Sequence, residues 1–223
     1  MNALETLEIE TGPQPAASFI ILHGLGADSS DFAPFADELD LAAVGPVRFV
    51  LPNAPVMPVT INNGYRMPAW FDILSLELPR REDEAGLRRS QAAIEALIAQ
   101  ENARGIPSHR IVLGGFSQGC AMTLMTGLRH KERLAGLVGL SGFLPLAEKT
   151  AAERSDANAL TPIFLVHGRQ DPVIPLARAV ASRDALVGLG YDVAWHEYDM
   201  PHSVCAQEVA DLNAWLLKVL ARA

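Results

Sequence analysis

Cysteine is scarce in this chain, with Cys120 and Cys205 the only two in 223 residues. At most one bridge can form, so no disulfide framework holds the fold, and two reduced thiols in a reducing compartment are expected. No CxxC pair and no Cys/His spacing suggests zinc, so no metal or cofactor is expected. Long apolar runs are missing as well. Nothing approaches ~18 uninterrupted apolar residues, which excludes a transmembrane helix. Basic residues are in deficit, 18 Lys+Arg against 26 Asp+Glu for a net charge of −8, which argues against nucleic acid or an anionic membrane face as partner. Residues 1–11 are acidic and alternating, with no basic segment leading into an apolar one, so no secretory signal is expected. The sequence contains no Asn-x-Ser/Thr acceptor. A cytoplasmic location follows as the expectation.

What the chain does contain is a large core. Apolar residues make up 49% and charged residues 20%, which excludes intrinsic disorder. The length suits one domain over residues 1–223, since ~200–250 residues are routine for a single α/β unit. Neither a repeat nor a linker rich in Gly, Ser or Pro divides it. Short β-rich runs at 6–10, 19–23, 47–51, 111–116, 136–141, 163–167 and 193–198 alternate with helical patterns at 84–103, 118–130, 176–189 and 204–220. The middle runs are continuously apolar, as for parallel strands covered on both faces. Such alternation predicts an α/β fold, a single open and mostly parallel sheet of about seven strands with helices on both faces. Two stretches resist the pattern. Residues 52–79 interleave Pro, Asn, Gly and aromatics without a helical period, and a loop of that length is usually functional or a failed assignment. Residues 146–161 are polar and Ala-rich, and read as an exposed linker or a surface helix.

The sharpest motif is Gly115-Phe116-Ser117-Gln118-Gly119, a G-x-S-x-G placed between a strand and a helix. A tight strand-to-helix turn pushes Ser117 out of the sheet, and the flanking glycines let strand and helix pass closely. A serine hydroxyl needs a base, and the base needs an acid. Six histidines compete. His109 and His130 lie at loop or helix-end positions where solvated roles suffice, His196 is inside a strand, and His167 ends a strand but precedes the acid. His202, between the last strand and the last helix, is the base favoured by the chain order Ser, acid, His. Asp171, after the penultimate strand, is the favoured acid, with Asp199 as its rival three residues from His202. Phe19–Gly26 is an apolar strand running into a Gly-rich turn, so the backbone N–H groups of Leu25 and Gln118 are the expected oxyanion donors. A dinucleotide fingerprint fits poorly, because Ser29 stands at its third glycine and Leu51-Pro52-Asn53 carries no acid for a ribose.

These residues, with Leu22–Asp28, Leu51–Pro55, Pro58–Tyr65 and Met67–Asp72, make a set much more specific than the elbow alone. Along nearly its whole length the chain resembles the phospholipase/carboxylesterase family of α/β-hydrolases, which includes acyl-protein thioesterases, and is most similar to its small bacterial carboxylesterases. That resemblance implies an α/β-hydrolase fold with no separate lid domain. It also implies a cofactor-free hydrolase acting on short- to medium-chain acyl esters, lysophospholipids or acyl thioesters through an acyl-enzyme on Ser117. Its alternatives are a thioesterase acting on S-acylated proteins and a non-catalytic acyl-binding module. The awkward 52–79 stretch would then border the acyl groove, with Trp70, Phe71, Ile73 and Leu74 as substrate contacts, or else as core residues. Cys120 departs from the glycine or alanine common there in relatives. Exposed apolar residues near the groove are compatible with a homodimer.

Overall fold

The computed structural model describes residues 4–75 and 81–221. Its main sheet has seven strands: β1 (Thr6–Glu10), β2 (Ala17–Leu22), β3 (Val47–Pro52), β6 (Ile111–Phe116), β7 (Gly136–Leu140), β8 (Ile163–Gly168) and β9 (Val193–Tyr198). Their spatial order is β1-β3-β2-β6-β7-β8-β9. Only β1 runs antiparallel, against β3, and the remaining pairs are parallel. Five of these strands are buried throughout or nearly so, which is why they read as unbroken apolar runs. Their side chains still alternate between two cores. Ile20, Leu22, Leu113 and Leu165 face one core with Leu87, Ile94 and Leu124. Phe19, Ile21, Val112 and Phe164 face the other with Phe35, Leu212 and Leu216.

The helices follow that division. The first core receives α2 (Glu84–Ala103), α3 (Gln118–Gly127) and α5 (Leu176–Gly188); the second receives α1 (Phe35–Glu38) and α6 (Ala206–Leu220). Asp83 starts α2 by accepting the Gly86 N–H at 2.9 Å, a side-chain cap for an otherwise orphaned donor. Strand order reverses between β2 and β6, which lie side by side although β3 and residues 53–110 intervene in the chain. In open α/β sheets the crevice beyond the carboxyl ends at such a point is where ligands bind. The Gly-rich turn after β2 and the elbow after β6 both open there.

Both resistant stretches are more ordered than their composition suggested. Residues 52–79, of which 76–80 lie outside the described residues, contain a hairpin of β4 (Val56–Val59) and β5 (Tyr65–Pro68). Asn63 and Gly64 turn it with φ of 55° and 75°, the Asn-Gly chemistry that favours hairpin turns. Of the two readings of 146–161, the surface helix holds and the exposed linker does not. The segment forms α4 (Ala147–Glu153) and a further turn at Asp156–Asn158. Asn158 is wholly buried, donating to the carbonyls of His130 and Glu132 and accepting from Leu134 N–H and the Thr161 hydroxyl. A polar side chain so fully paired is stable inside a core.

Candidate active site

Ser117 sits between β6 and α3 with φ 55° and ψ −113°, a backbone conformation that costs an L-residue about 1–3 kcal/mol and persists only where its surroundings enforce it. The surroundings are backbone. A Cβ on Gly119 would lie 2.0 Å from the Leu22 carbonyl oxygen, and one on Gly115 2.5 Å from the Gly119 carbonyl carbon. The flanking glycines are therefore needed because β2, β6 and α3 pass at backbone contact. Behind the elbow, Cys120 is fully buried, packed where a Cβ on Gly142 would stand 2.4 Å from its own Cβ. Burial pushes its thiol up to about 12, so it is held as a neutral space-filler.

Three expected partners come together. His202 Nε2 is 2.9 Å from Ser117 Oγ, and Nδ1 is 2.7 Å from Asp171 Oδ2. With Nδ1–H donating to the carboxylate, Nε2 is free to accept from the serine hydroxyl. Asp171 Oδ1 accepts the N–H groups of Val173 (2.8 Å) and Ile174 (2.9 Å). Phe116 lies against the His202 ring, centroids 4.7 Å apart. The rival acid is elsewhere, since Asp199 points outward and pairs with Arg169 at 2.9 Å. Two loops are stitched together by Arg169 N–H to Tyr198 O and Gln170 N–H to Met200 O. Among the other histidines, His130 is buried and not solvated as its position suggested, and burial holds its pKa below the ordinary value.

The turn after β2 is fixed by His23. Its Nε2 accepts the Ala54 N–H at 3.0 Å, and its Nδ1 donates to the Gly24 carbonyl at 2.7 Å. Burial lowers its pKa, consistent with one neutral tautomer in a structural post. Gly26, with φ 78°, donates to Pro68 O at 2.8 Å and ties the turn to the hairpin. Leu25 and Gln118 both line the cavity beside Ser117. Gln118 opens α3, so its N–H has no acceptor within the helix. Its side chain carries a second task that the motif did not reveal. Oε1 accepts the Trp70 N–H at 3.0 Å and Nε2 donates to Phe71 O at 2.9 Å, clamping residues 70–71 to the elbow.

The cavity measures about 490 Å³. Phe71, Ile73, Phe143 and Ile174 give it an apolar wall, while Asp31, Arg81 and Glu82 stand among its polar lining. Two of the four expected groove contacts are corrected here. Trp70 is 2% exposed in the first core and donates its indole N–H to His23 O at 2.9 Å. Its polar edge found a buried acceptor, so the ring turned inward. Leu74 is half-buried and does not line the cavity. Among the described residues no group of His, Cys, Asp and Glu is arranged to hold a metal ion, and no helix is long and apolar enough to cross a membrane.

Known proteins of this form share its dimensions. The chain is 44% identical over 99% of both sequences to the acyl-protein thioesterase 1 of Mycosarcoma maydis. Its structure is similar to those of Zea mays acyl-protein thioesterase 2 (TM-score 0.86, 27% identity, 97% of this chain and 99% of that one) and Arabidopsis thaliana SOBER1 (TM-score 0.87, 27% identity, 92% and 99%). The phospholipase/carboxylesterase family model matches residues 4–220. This chain, a seven-stranded α/β-hydrolase with no separate lid among its described residues, belongs to the phospholipase/carboxylesterase family of hydrolases.

Proposed function

We propose that the protein hydrolyses acyl thioesters and esters through an acyl-enzyme on Ser117, with S-acylated proteins as its principal substrate class. The observation that carries the mechanism is the unbroken line Ser117–His202–Asp171 at 2.9 and 2.7 Å, opening on an apolar-walled cavity. The thioester emphasis rests on the name shared by relatives at about two-fifths identity over most of the chain. In the first half-reaction His202 takes the Ser117 proton as Oγ attacks the acyl carbonyl. The N–H groups of Leu25 and Gln118 receive the oxyanion. Collapse expels the thiolate or alkoxide, which takes the proton from His202. Water, deprotonated by His202, then attacks the acyl-enzyme, releases the fatty acid and restores Ser117. Asp171 holds the imidazole in the Nδ1–H tautomer and stabilises the imidazolium.

The test is a series of p-nitrophenyl esters from acetyl to palmitoyl, run beside a palmitoyl-cysteinyl peptide. The expected result is a higher kcat/KM for the thioester than for the oxygen ester of equal chain length. Ser117→Ala is expected to lose ~10³-fold or more of turnover while staying folded, and to lose labelling by a fluorophosphonate. A Ser117→Ala protein with parental turnover overturns the mechanism. A strong preference for acetyl and butyryl esters, with no thioester cleavage, returns the assignment to a simple carboxylesterase.

A further inference from the structure

His167 is the penultimate residue of β8 with none of its surface exposed, and the mechanism above gives it no task. Its surroundings are specific. Nε2 lies 2.8 Å from the Ile174 carbonyl oxygen and 3.3 Å from Oδ2 of Asp171. A carbonyl oxygen can only accept, so Nε2 carries a proton. Nδ1 is buried with no hydrogen-bond partner among the described residues. A proton there would be a buried donor without an acceptor among the described residues, so the site suits a ring whose proton sits on Nε2. Ile174 returns the contact by donating its own N–H to Asp171 Oδ1 at 2.9 Å. Histidine ring, Ile174 peptide and Asp171 carboxylate thus close a ring.

From this geometry we infer that His167 is a positioning residue, whose Nε2–H anchors the Ile174 peptide and aims Oδ2 of Asp171 at His202. The inference rests on the proposed roles of Asp171 and His202. Asp171 stands on a loop, and a carboxylate turns easily about its last torsion. Two backbone donors hold Oδ1, whereas among the described residues Oδ2 meets the His202 ring it must orient and the ring of His167. His167 belongs to the sheet, paired in register with Glu197 of β9, so it transmits the rigidity of a strand to a loop. Gly168 completes the arrangement, because a Cβ there would fall 2.4 Å from Met200 O and 2.5 Å from Pro201 O. The acid loop is thereby pressed onto the backbone that leads into His202. Val173 and Ile174 also line the cavity, so the same anchor holds part of its wall.

The experiment compares H167F, H167Q and H167N in the full chain, each also in a D171N background, using p-nitrophenyl butyrate kinetics with circular dichroism to check the fold. Glutamine can place its amide Nε2 where the imidazole Nε2 stands; asparagine is one bond too short. H167F is expected to lose ~10–100-fold in kcat with KM changed less than ~3-fold, the loss expected when a reacting group is mis-aimed by a fraction of an ångström to an ångström. H167Q recovers most of the turnover and H167N does not. In the D171N background H167F costs less than ~3-fold more, because residues acting as one unit are not additive. Turnover of folded H167F within ~2-fold of the parent overturns the inference. Equal impairment of H167Q and H167N overturns it too, by reducing His167 to filled volume. If H167F does not fold, the glutamine and asparagine pair decides alone. A parent protein that neither cleaves the ester nor labels at Ser117 overturns the catalytic reading itself, and this inference with it, an outcome distinct from a working parent with an indifferent His167.

Discussion

The elbow and the segment across from it, residues 54–75, bound the same cavity but are held there differently. Around Ser117 the chain is locked by backbone against backbone. Methyl groups on Gly115 or Gly119 would overlap main-chain atoms of α3 and β2. In the opposite segment Gly64 has nothing within 4 Å of where its Cβ would stand. Besides the backbone bond from Gly26 to Pro68, that segment hangs on side-chain hydrogen bonds: Gln118 to the peptides of Trp70 and Phe71, the Trp70 indole to His23 O, Ser90 Oγ to Trp70 O. Asp72 accepts from Thr60 N–H at 2.7 Å, and its own N–H donates to Asp83 at 3.0 Å. Close-packed backbone has no soft coordinate along which to yield, whereas each polar clamp is a separate contribution of about 1 kcal/mol. On the proposed mechanism the Ser117 oxygen needs the first kind of support, and a wall meant to meet acyl chains of varied shape can use the second.

The comparison breaks most visibly at its glycines. Gly119→Ala is expected to cost more than ~4 kcal/mol, because the methyl meets a carbonyl that cannot move without separating β2 from α3. Gly64→Ala should cost only ~1–2 kcal/mol, the price of positive φ, with activity retained. Thermal unfolding of the two variants checks this, and similar melting temperatures would remove the distinction. A smaller effect is expected from Gln118→Ala, which keeps the proposed oxyanion donor but leaves two buried peptide groups unpaired, at about 1–3 kcal/mol. Its kcat/KM should fall more for long acyl esters than for acetyl esters, since the loosened part is the wall. A uniform fall across the series would place the Gln118 side chain on the catalytic side of the comparison.

The least effect is expected where the elbow side has its own soft spot. Glu208, in the first turn of α6 after the His202 loop, is wholly buried, and the backbone of Cys205 at the start of the helix offsets only part of what burial costs its charged form. Burial raises its pKa to about 8. The folded state then holds a proton that the unfolded state releases from about pH 4.5 upward, so stability falls as pH rises from about 4.5 to about 8. Glu208→Gln should abolish that slope, and at pH 8 should exceed the parent by on the order of 1–2 kcal/mol. Melting curves at pH 5 and pH 8 provide the measurement, and parallel pH dependence in the two proteins would refute it.

Much of the fold was legible because its signals are local. The runs at 6–10, 111–116 and 193–198 coincide with β1, β6 and β9 to the residue, as does 84–103 with α2. The hairpin at 56–68 was missed although Asn63-Gly64 advertises a turn, because its short strands are bounded and interrupted by prolines that demote them. Residues 146–161 looked solvated because composition does not say that Asn158 finds four partners inside.

At the site, the sequence by itself determined the elbow and its flanking glycines, since strand, turn and helix are written in adjacent residues, and it offered Ser117 and His202 with Asp171 or Asp199 between them. Only tertiary structure decided between Asp171 and Asp199, turned Trp70 into the core, gave Gln118 its clamp and brought His167 against the acid. Each of those outcomes depends on where a side chain's polar atoms find partners tens of residues away or across a folded loop. Hydrophobic period and turn chemistry set local shape; the pairing of buried polar groups is known only once the chain has closed on itself.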